Sequence, residues 1–372
     1  MAPARLAVST LFFVNGAVLA SWLPHIPAIK ARLTSGEAEL GLVLLAMAAG
    51  AVVALPTAGW LVGLAGSRVT SATAAIALCL AMPLPVLSPR LPMLVASLAV
   101  LGVCNGLLDV SMNAQAVSVQ QRAGRPIMSS FHALFSLGGV AGAVAASGAM
   151  AHGVDETAHV LGAAAIGLAA VLMALPALMP PEHTAAGPAF AAPSRALLAV
   201  GLLALLGLLA EGAMGDWSAV YLRDTLGASP ATAAVGFAAF SLAMAAGRLS
   251  GDTLVARVGS RRLLRFSGGI AAVGLAAALG LAMPVAGVVG FALVGIGIAN
   301  VIPVLFSAAA RIPGVDAGRG LSAAATIGYL GFLSGPPLIG VVAEAAGLGL
   351  ALGLVALACA VVAGGAGAVP EP

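Results

Sequence analysis

Long apolar runs separated by short polar breaks set the architecture of this chain. Twelve runs reach the roughly 20 residues an α-helix needs to cross a hydrocarbon core of about 30 Å. They cover 6–29, 38–63, 69–88, 92–118, 127–151, 158–179, 196–221, 231–256, 263–283, 285–309, 319–343 and 347–368. The strict alternation over ten-residue stretches that marks a membrane β-barrel is missing. Several breaks are very short, such as Ser88-Pro89-Arg90, which makes the flanking helices antiparallel. The long break from Pro180 to Ser194 contains Pro180-Pro181, Glu182 and His183 and reads as a flexible linker.

The pattern occurs twice. Trp22 returns as Trp217, Asn105 as Asn300, Gly124-Arg125 as Gly318-Arg319, and Gly66-Ser67-Arg68 as Gly259-Ser260-Arg261, at offsets of 193 to 195 residues. The expected organisation is an all-α membrane protein: a six-helix bundle over 1–179, a cytoplasmic linker over 180–195 and a second bundle over 196–372. Duplicated halves are a recurrent design of secondary transporters, with the site at their junction.

Composition excludes a water-soluble fold. Hydrophobic residues make up 61% and charged residues 8% of the chain, against about 25% charged in soluble domains. Of the 16 cationic residues, eleven arginines (5, 68, 122, 125, 195, 257, 261, 262, 265, 311 and 319) fall on one side, while Lys30, Arg32, Arg90 and Arg223 fall on the other. The positive-inside rule then puts both termini in the cytoplasm. The net charge of +3 reflects this placement and points to no nucleic acid. The first run is expected to stay as a signal anchor, uncleaved. Cys79, Cys104 and Cys359 lie in apolar runs and read as small buried hydrophobes. No phosphate-cradling GxxxxGK[ST], metal-ligand spacing or nucleophile–base pair is present, so no enzyme activity, cofactor or metal is expected.

Small residues point to close helix packing. Gly138-x-x-x-Gly142 and Gly331-x-x-x-Gly335 fall in corresponding runs. Pro24 and Pro27 are expected to disturb the outer end of the first run, and Pro336-Pro337 to break or kink the eleventh.

A charged side chain at the bilayer centre costs roughly 2.5–3.5 kcal/mol on insertion scales, so such residues face a cavity or a partner. Asn105, Asp109 and Asn113 recur at i, i+4, i+8 and share one helix face. Asp109 sits about 15 Å from the inner end of its run, near the midplane. It reads as a proton carrier with amide neighbours for substrate hydroxyls, or as part of a structural hydrogen-bond network. Glu211 is the second proton-coupling candidate, and Asn15 stands near the equivalent place in the first half. Asn300 mirrors Asn105. Trp22 and Trp217 either stack on a sugar-like ring or anchor helices at the interface. Asp216 either caps an outer gate with Trp217 or reaches interfacial water. Arg248 and Asp252, at i, i+4, read as an ion pair holding one conformation, with an anion-binding Arg248 as the alternative. His132 either relays protons or packs.

The motifs around these residues resemble the major facilitator superfamily. Its members carry a pattern near G-x-x-x-D-R-x-G-R-R after the second and eighth helices. Here Ala256-Arg257-Val258-Gly259-Ser260-Arg261 lacks the acid, as does the stretch from Gly59 to Arg68, and Asp252 is placed to substitute. Asn15-Gly16, Ser21-Trp22 and Ile26-Pro27-Ala28-Ile29-Lys30 are similar to a bacterial group that includes MosC-like proteins. So are Asp109-Val110-Ser111-Met112-Asn113-Ala114-Gln115-Ala116, Gly124-Arg125-Pro126-Ile127-Met128-Ser129-Ser130-Phe131-His132 and Glu211-Gly212-Ala213-Met214-Gly215-Asp216-Trp217-Ser218. That group is similar to fucose–proton symporters, some with an acid and then Asn four residues on, the spacing of Asp109 and Asn113.

The resemblance implies a monomeric, proton-coupled transporter of a small polar, sugar- or cyclitol-like solute, with protons and the lipid bilayer as its other partners. An exporter of amphiphilic compounds is the alternative, but Ser136 to Gly142 lacks the Gly-Pro pair common in exporters. A non-transporting sensor would append a soluble domain, whereas the polar tails here are a few residues long.

Overall fold

The computed structural model describes residues 2–22, 25, 29, 32–33, 37–180, 194–228 and 230–370. The expected linker and the prolines Pro24 and Pro27 lie largely or wholly outside them. The main helices are α1 (Ala2–Trp22), α2 (Glu37–Ala81), α3 (Leu91–Ala123), α4 (Met128–Ala151), α5 (Glu156–Ala174), α6 (Arg195–Val220), α7 (Pro230–Val258), α8 (Ser260–Leu281), α9 (Pro284–Ile298), α10 (Val301–Ala309), α11 (Ala317–Ala346) and α12 (Leu348–Gly365). Among the described residues, ten helical stretches are long and apolar enough to cross a membrane. One of them, Leu45–Leu87, is 43 residues long, and another, Pro284–Ala309, joins α9 to α10.

The 45-residue α2 is two helices meeting at Gly66, whose φ of 82° and ψ of 154° are not helical. Its repeat counterpart Gly259, between α7 and α8, has φ 81° and ψ 160°. A side chain at φ near +80° is strained, which explains glycine at both places. By contrast, α11 runs through Pro336-Pro337 without the expected break. Neighbouring groups in a membrane bundle can satisfy the carbonyls that proline frees.

The chain clusters into two compact units. The first holds Met1–Arg125, Phe131–Ala191 and Val315–Ala323; the second holds Pro126–Ser130, Ala192–Gly314 and Ala324–Pro372. Each is packed through glycine. In the first, a Cβ on Gly138 or Gly142 would overlap the backbone carbonyl of Phe13 or Ala17 on α1. In the second, a Cβ on Gly331 would overlap the Leu205 carbonyl on α6, while Gly335 merely touches Leu209. Of the expected small-residue spacings, the first is therefore fully used and the second half used. The three cysteines are free and buried.

Each unit also ties its second-to-third helix loop to its own last helix. Arg68 donates to the carbonyls of Leu175 and Pro176, both at 3.4 Å. Arg261, the counterpart of Arg68, donates to the Val369 carbonyl at 2.8 Å. The first unit adds Gln115, fully buried, which donates to Ser67 Oγ at 2.8 Å and accepts from the Met179 N–H at 2.9 Å. Gln115→Leu leaves that N–H and hydroxyl without their partner. We expect it to destabilise the protein by about 1–3 kcal/mol, read as a lowered thermal midpoint in detergent. An unchanged midpoint would show the clamp to be dispensable.

Candidate functional site

Two polar clusters occupy the apolar interiors, one in each unit. In the first, the i, i+4 spacing on α3 brings Asp109 and Asn113 together. Asn113 Nδ2 donates to the Asp109 backbone carbonyl at 2.8 Å and to Asp109 Oδ1 at 3.2 Å. Asn113 Oδ1 lies 3.1 Å from His132 Nε2 on α4. With its amide nitrogen facing Asp109, Asn113 offers an acceptor to His132, which must then carry its proton on Nε2. The result is a buried chain of carboxylate, amide and imidazole. Phe12 meets the His132 ring edge-on at a centroid distance of 5.2 Å and shields it.

Asn15 on α1 joins this cluster from the side, with Nδ2 3.8 Å from the Met112 sulfur, a long contact with a weak acceptor. Asn15 Oδ1 and Asn105 Oδ1 are buried with no hydrogen-bond partner among the described residues. A buried polar atom without a partner costs about 1–3 kcal/mol, so each of these oxygens is left open to a ligand or a water.

In the second unit the hub is Arg248 on α7. Its Nη2 lies 3.3 Å from both carboxylate oxygens of Glu211 on α6. Its Nε donates to the Ala299 carbonyl at 3.3 Å. Pro303 explains that last bond. It has no N–H to return to the carbonyl four residues earlier, so Ala299 is left open. The helix breaks there, between α9 and α10, with Asn300 at φ −102° and ψ 3°. Asn300 Nδ2 donates to the Gly247 carbonyl at 2.9 Å, and its Oδ1 has no partner among the described residues. A broken helix whose freed carbonyl meets a charged side chain is a device that many transporters use to build ion and substrate sites.

The sequence spacing pointed Arg248 at Asp252; in the structure its guanidinium also reaches Glu211, 37 residues away. The Asp252 carboxylate accepts from the backbone N–H groups of Ser129 at 2.7 Å and Ser130 at 3.0 Å. These are first-turn amides of α4, where a negative charge is favoured by unpaired N–H groups and the helix dipole.

The tryptophans differ. Trp22 is buried, and Trp217 is half-buried with its ring over Gly340. The indole N–H of each has no partner among the described residues. Asp216 is exposed. The bridge from His132 through Asn113 to Asp109 depends on α3 and α4 lying side by side, which the spacing along the chain does not reveal.

Comparisons with known proteins agree with the fold. No protein-family profile matches the chain. An uncharacterised MFS-type transporter of Yersinia pestis is 38% identical over 96% of this chain and 94% of its own length. The membrane protein MosC of Rhizobium meliloti is 36% identical over 93% of this chain and 85% of its own. Among solved structures, the transporter FucP in its outward conformation has a TM-score of 0.76 at 18% identity, covering 97% of both chains. The human organic anion transporter MFSD10 has a TM-score of 0.80 at 16% identity, covering 98% of this chain and 99% of its own.

Proposed function

We propose that this chain, which belongs to the major facilitator superfamily of membrane transporters, is a monomeric, proton-coupled secondary transporter of a small polar, sugar- or cyclitol-like solute. Counting both arms of α2, the α9–α10 pair as one crossing, and α7 gives twelve crossings in two related halves of six. Both termini lie in the cytoplasm of a bacterial inner membrane. Transport proceeds by alternating access, the two halves rocking about a site near the midplane.

The observation that carries this reading is the buried Asp109–Asn113–His132 chain, a carboxylate at mid-membrane depth held by hydrogen bonds. Asp109 is assigned the main proton, with Glu211 second. A proton taken up by Glu211 discharges its pair with Arg248, which couples protonation to a change of contacts. Asn15, Asn105, Asn113 and Asn300 are assigned to solute hydroxyls, and Trp22 and Trp217 to the faces of a ring. Asp252, holding the first turn of α4, serves as inner gate, and Asp216 with Trp217 serves as outer gate. Fucose–proton symport by a protein of the same fold is a functional parallel.

Uptake into proteoliposomes under an imposed pH gradient, screened across sugars, cyclitols and amphiphilic amines, tests the reading. Accumulation of a sugar or cyclitol that collapses with a protonophore supports it. Extrusion of amines with no sugar uptake overturns it.

Topology is tested separately, because the native cysteines are buried and give low background. Arg125, Pro313 and Arg90 are exposed. Cysteines at Arg125 and Pro313 should react with a membrane-impermeant maleimide only in inverted vesicles, and one at Arg90 only in intact cells. The opposite labelling would reverse the orientation.

A further inference from the structure

We propose that the trough between α8 and α9 is a binding site for an anionic phospholipid, which lays one acyl chain along α8 and sets its phosphate against Arg265 and Arg262.

The trough belongs wholly to the second unit and encloses about 600 Å³. Small residues such as Gly269, Gly274 and Ala277 line its length, Phe266, Val273 and Leu293 stand around it, and Arg265 is its single charged lining residue. From Arg265 to Leu281 the trough follows α8 for about 24 Å at 1.5 Å per residue. One leaflet of the hydrocarbon core is about 15 Å deep, so a single chain is sheltered along its whole length. Phe266 and Val273 are 65% and 71% exposed, and hydrocarbon must cover them in a membrane.

The polar end selects the headgroup. Arg262 and Arg265 lie at i, i+3 on one face of α8, and both are exposed. No carboxylate pairs with either among the described residues, whereas the adjacent Arg261 is engaged with the Val369 carbonyl. Two cations at the mouth of an apolar trough complement a phosphodiester with its chain attached. A headgroup with a net negative charge is preferred, because a choline or ethanolamine group brings its own cation to the same place.

The first unit supplies an internal contrast. A trough of about 590 Å³ runs along α1, α4 and α5, lined by Ser9, Thr10, Ser21 and His159 but by no lysine or arginine. It has equal room for a chain and no reason to select an anion.

Native mass spectrometry of the full-length protein, titrated with equimolar dioleoyl phosphatidylglycerol and phosphatidylcholine, tests the proposal. One phosphatidylglycerol should be retained in clear preference to phosphatidylcholine. Arg262→Gln with Arg265→Gln should weaken that retention by about fivefold per arginine removed. Gly269→Leu should abolish it with both arginines intact. A Cβ at Gly269 meets nothing within 4 Å, so the new side chain fills the trough without straining the fold. Gly162→Leu places the same bulk in the first unit's trough, again with nothing within 4 Å of the Cβ, and should leave the preference unchanged. Equal retention of the two lipids by the unaltered protein would overturn the proposal. So would unchanged phosphatidylglycerol retention in the arginine double variant or in Gly269→Leu. A dimer lost on Gly269→Leu, with no lipid bound, would assign the trough to a second copy of the chain instead.

Discussion

Vesicles carrying Asp109→Asn are expected to lose uphill accumulation of the solute while retaining exchange of labelled for unlabelled solute across the membrane. The asparagine keeps the shape and one oxygen acceptor for Asn113 Nδ2, which now stands at 3.2 Å from the carboxylate. It cannot take up or release a proton in the accessible pH range. Exchange needs only solute binding and the conformational change, so it separates loss of coupling from loss of folding. The expected ratio of internal to external solute falls to unity. A variant that still concentrates solute at the unaltered level would remove Asp109 from the proton path. Asn113→Ala tests the adjoining link, since it takes away the bridge to His132. Affinity should fall by about 0.5–1.5 kcal/mol for each hydrogen bond lost to the solute, and the thermal midpoint should fall too, because buried Asp109 and His132 lose the bonds that Asn113 makes to them.

The second large effect lies at the ion pair. Arg248 is 7% exposed in its side chain and Glu211 is 24% exposed. Removing one member of a buried pair leaves the other uncompensated and costs about 3–5 kcal/mol. Arg248→Met should therefore lower the thermal midpoint sharply, the more so because the Ala299 carbonyl loses its donor. Adding Glu211→Gln removes the stranded carboxylate and should restore part of that stability, though no uphill transport. A double variant as unstable as the sum of the two single changes would show that the residues do not act as a pair.

How far the chain can be read in advance depends on where the cause lies. The apolar runs follow from local composition and were legible, as was the pairing of Gly66 with Gly259 by the repeat offset, but the backbone angles that require glycine there come only from the structure. The stacking of Asp109 on Asn113 was equally open, because i, i+4 neighbours share a helix face. The Arg248–Glu211 contact was not, since 37 residues separate the partners and only packing of α6 against α7 joins them. The helix break at Asn300 lies between these cases. Pro303 announces an open carbonyl at Ala299, but which donor fills it depends on a neighbouring helix. No break appears at Pro336-Pro337 for the converse reason: rules written for helices in water assign the freed carbonyls a cost that a packed bundle can offset. Gln115 belongs to a recognisable motif, yet its two partners come from stretches 48 and 64 residues away.

The paired arginine clamps have a consequence for synthesis. Arg68 leaves the ribosome well before its partner, since 107 residues separate it from Leu175, and Arg261 precedes Val369 by 108. At about 5–20 residues per second, each arginine waits roughly 5–20 seconds for the carbonyl that will hold it. During that wait the loop is free at the membrane surface, and the half-made bundle cannot close. The clamp thus forms last and once per half, when the final helix of that half has entered the bilayer. A chain stalled before Leu175 has emerged would present an open bundle to quality-control proteases, whereas one stalled after Met179 has left the ribosome would present a sealed one.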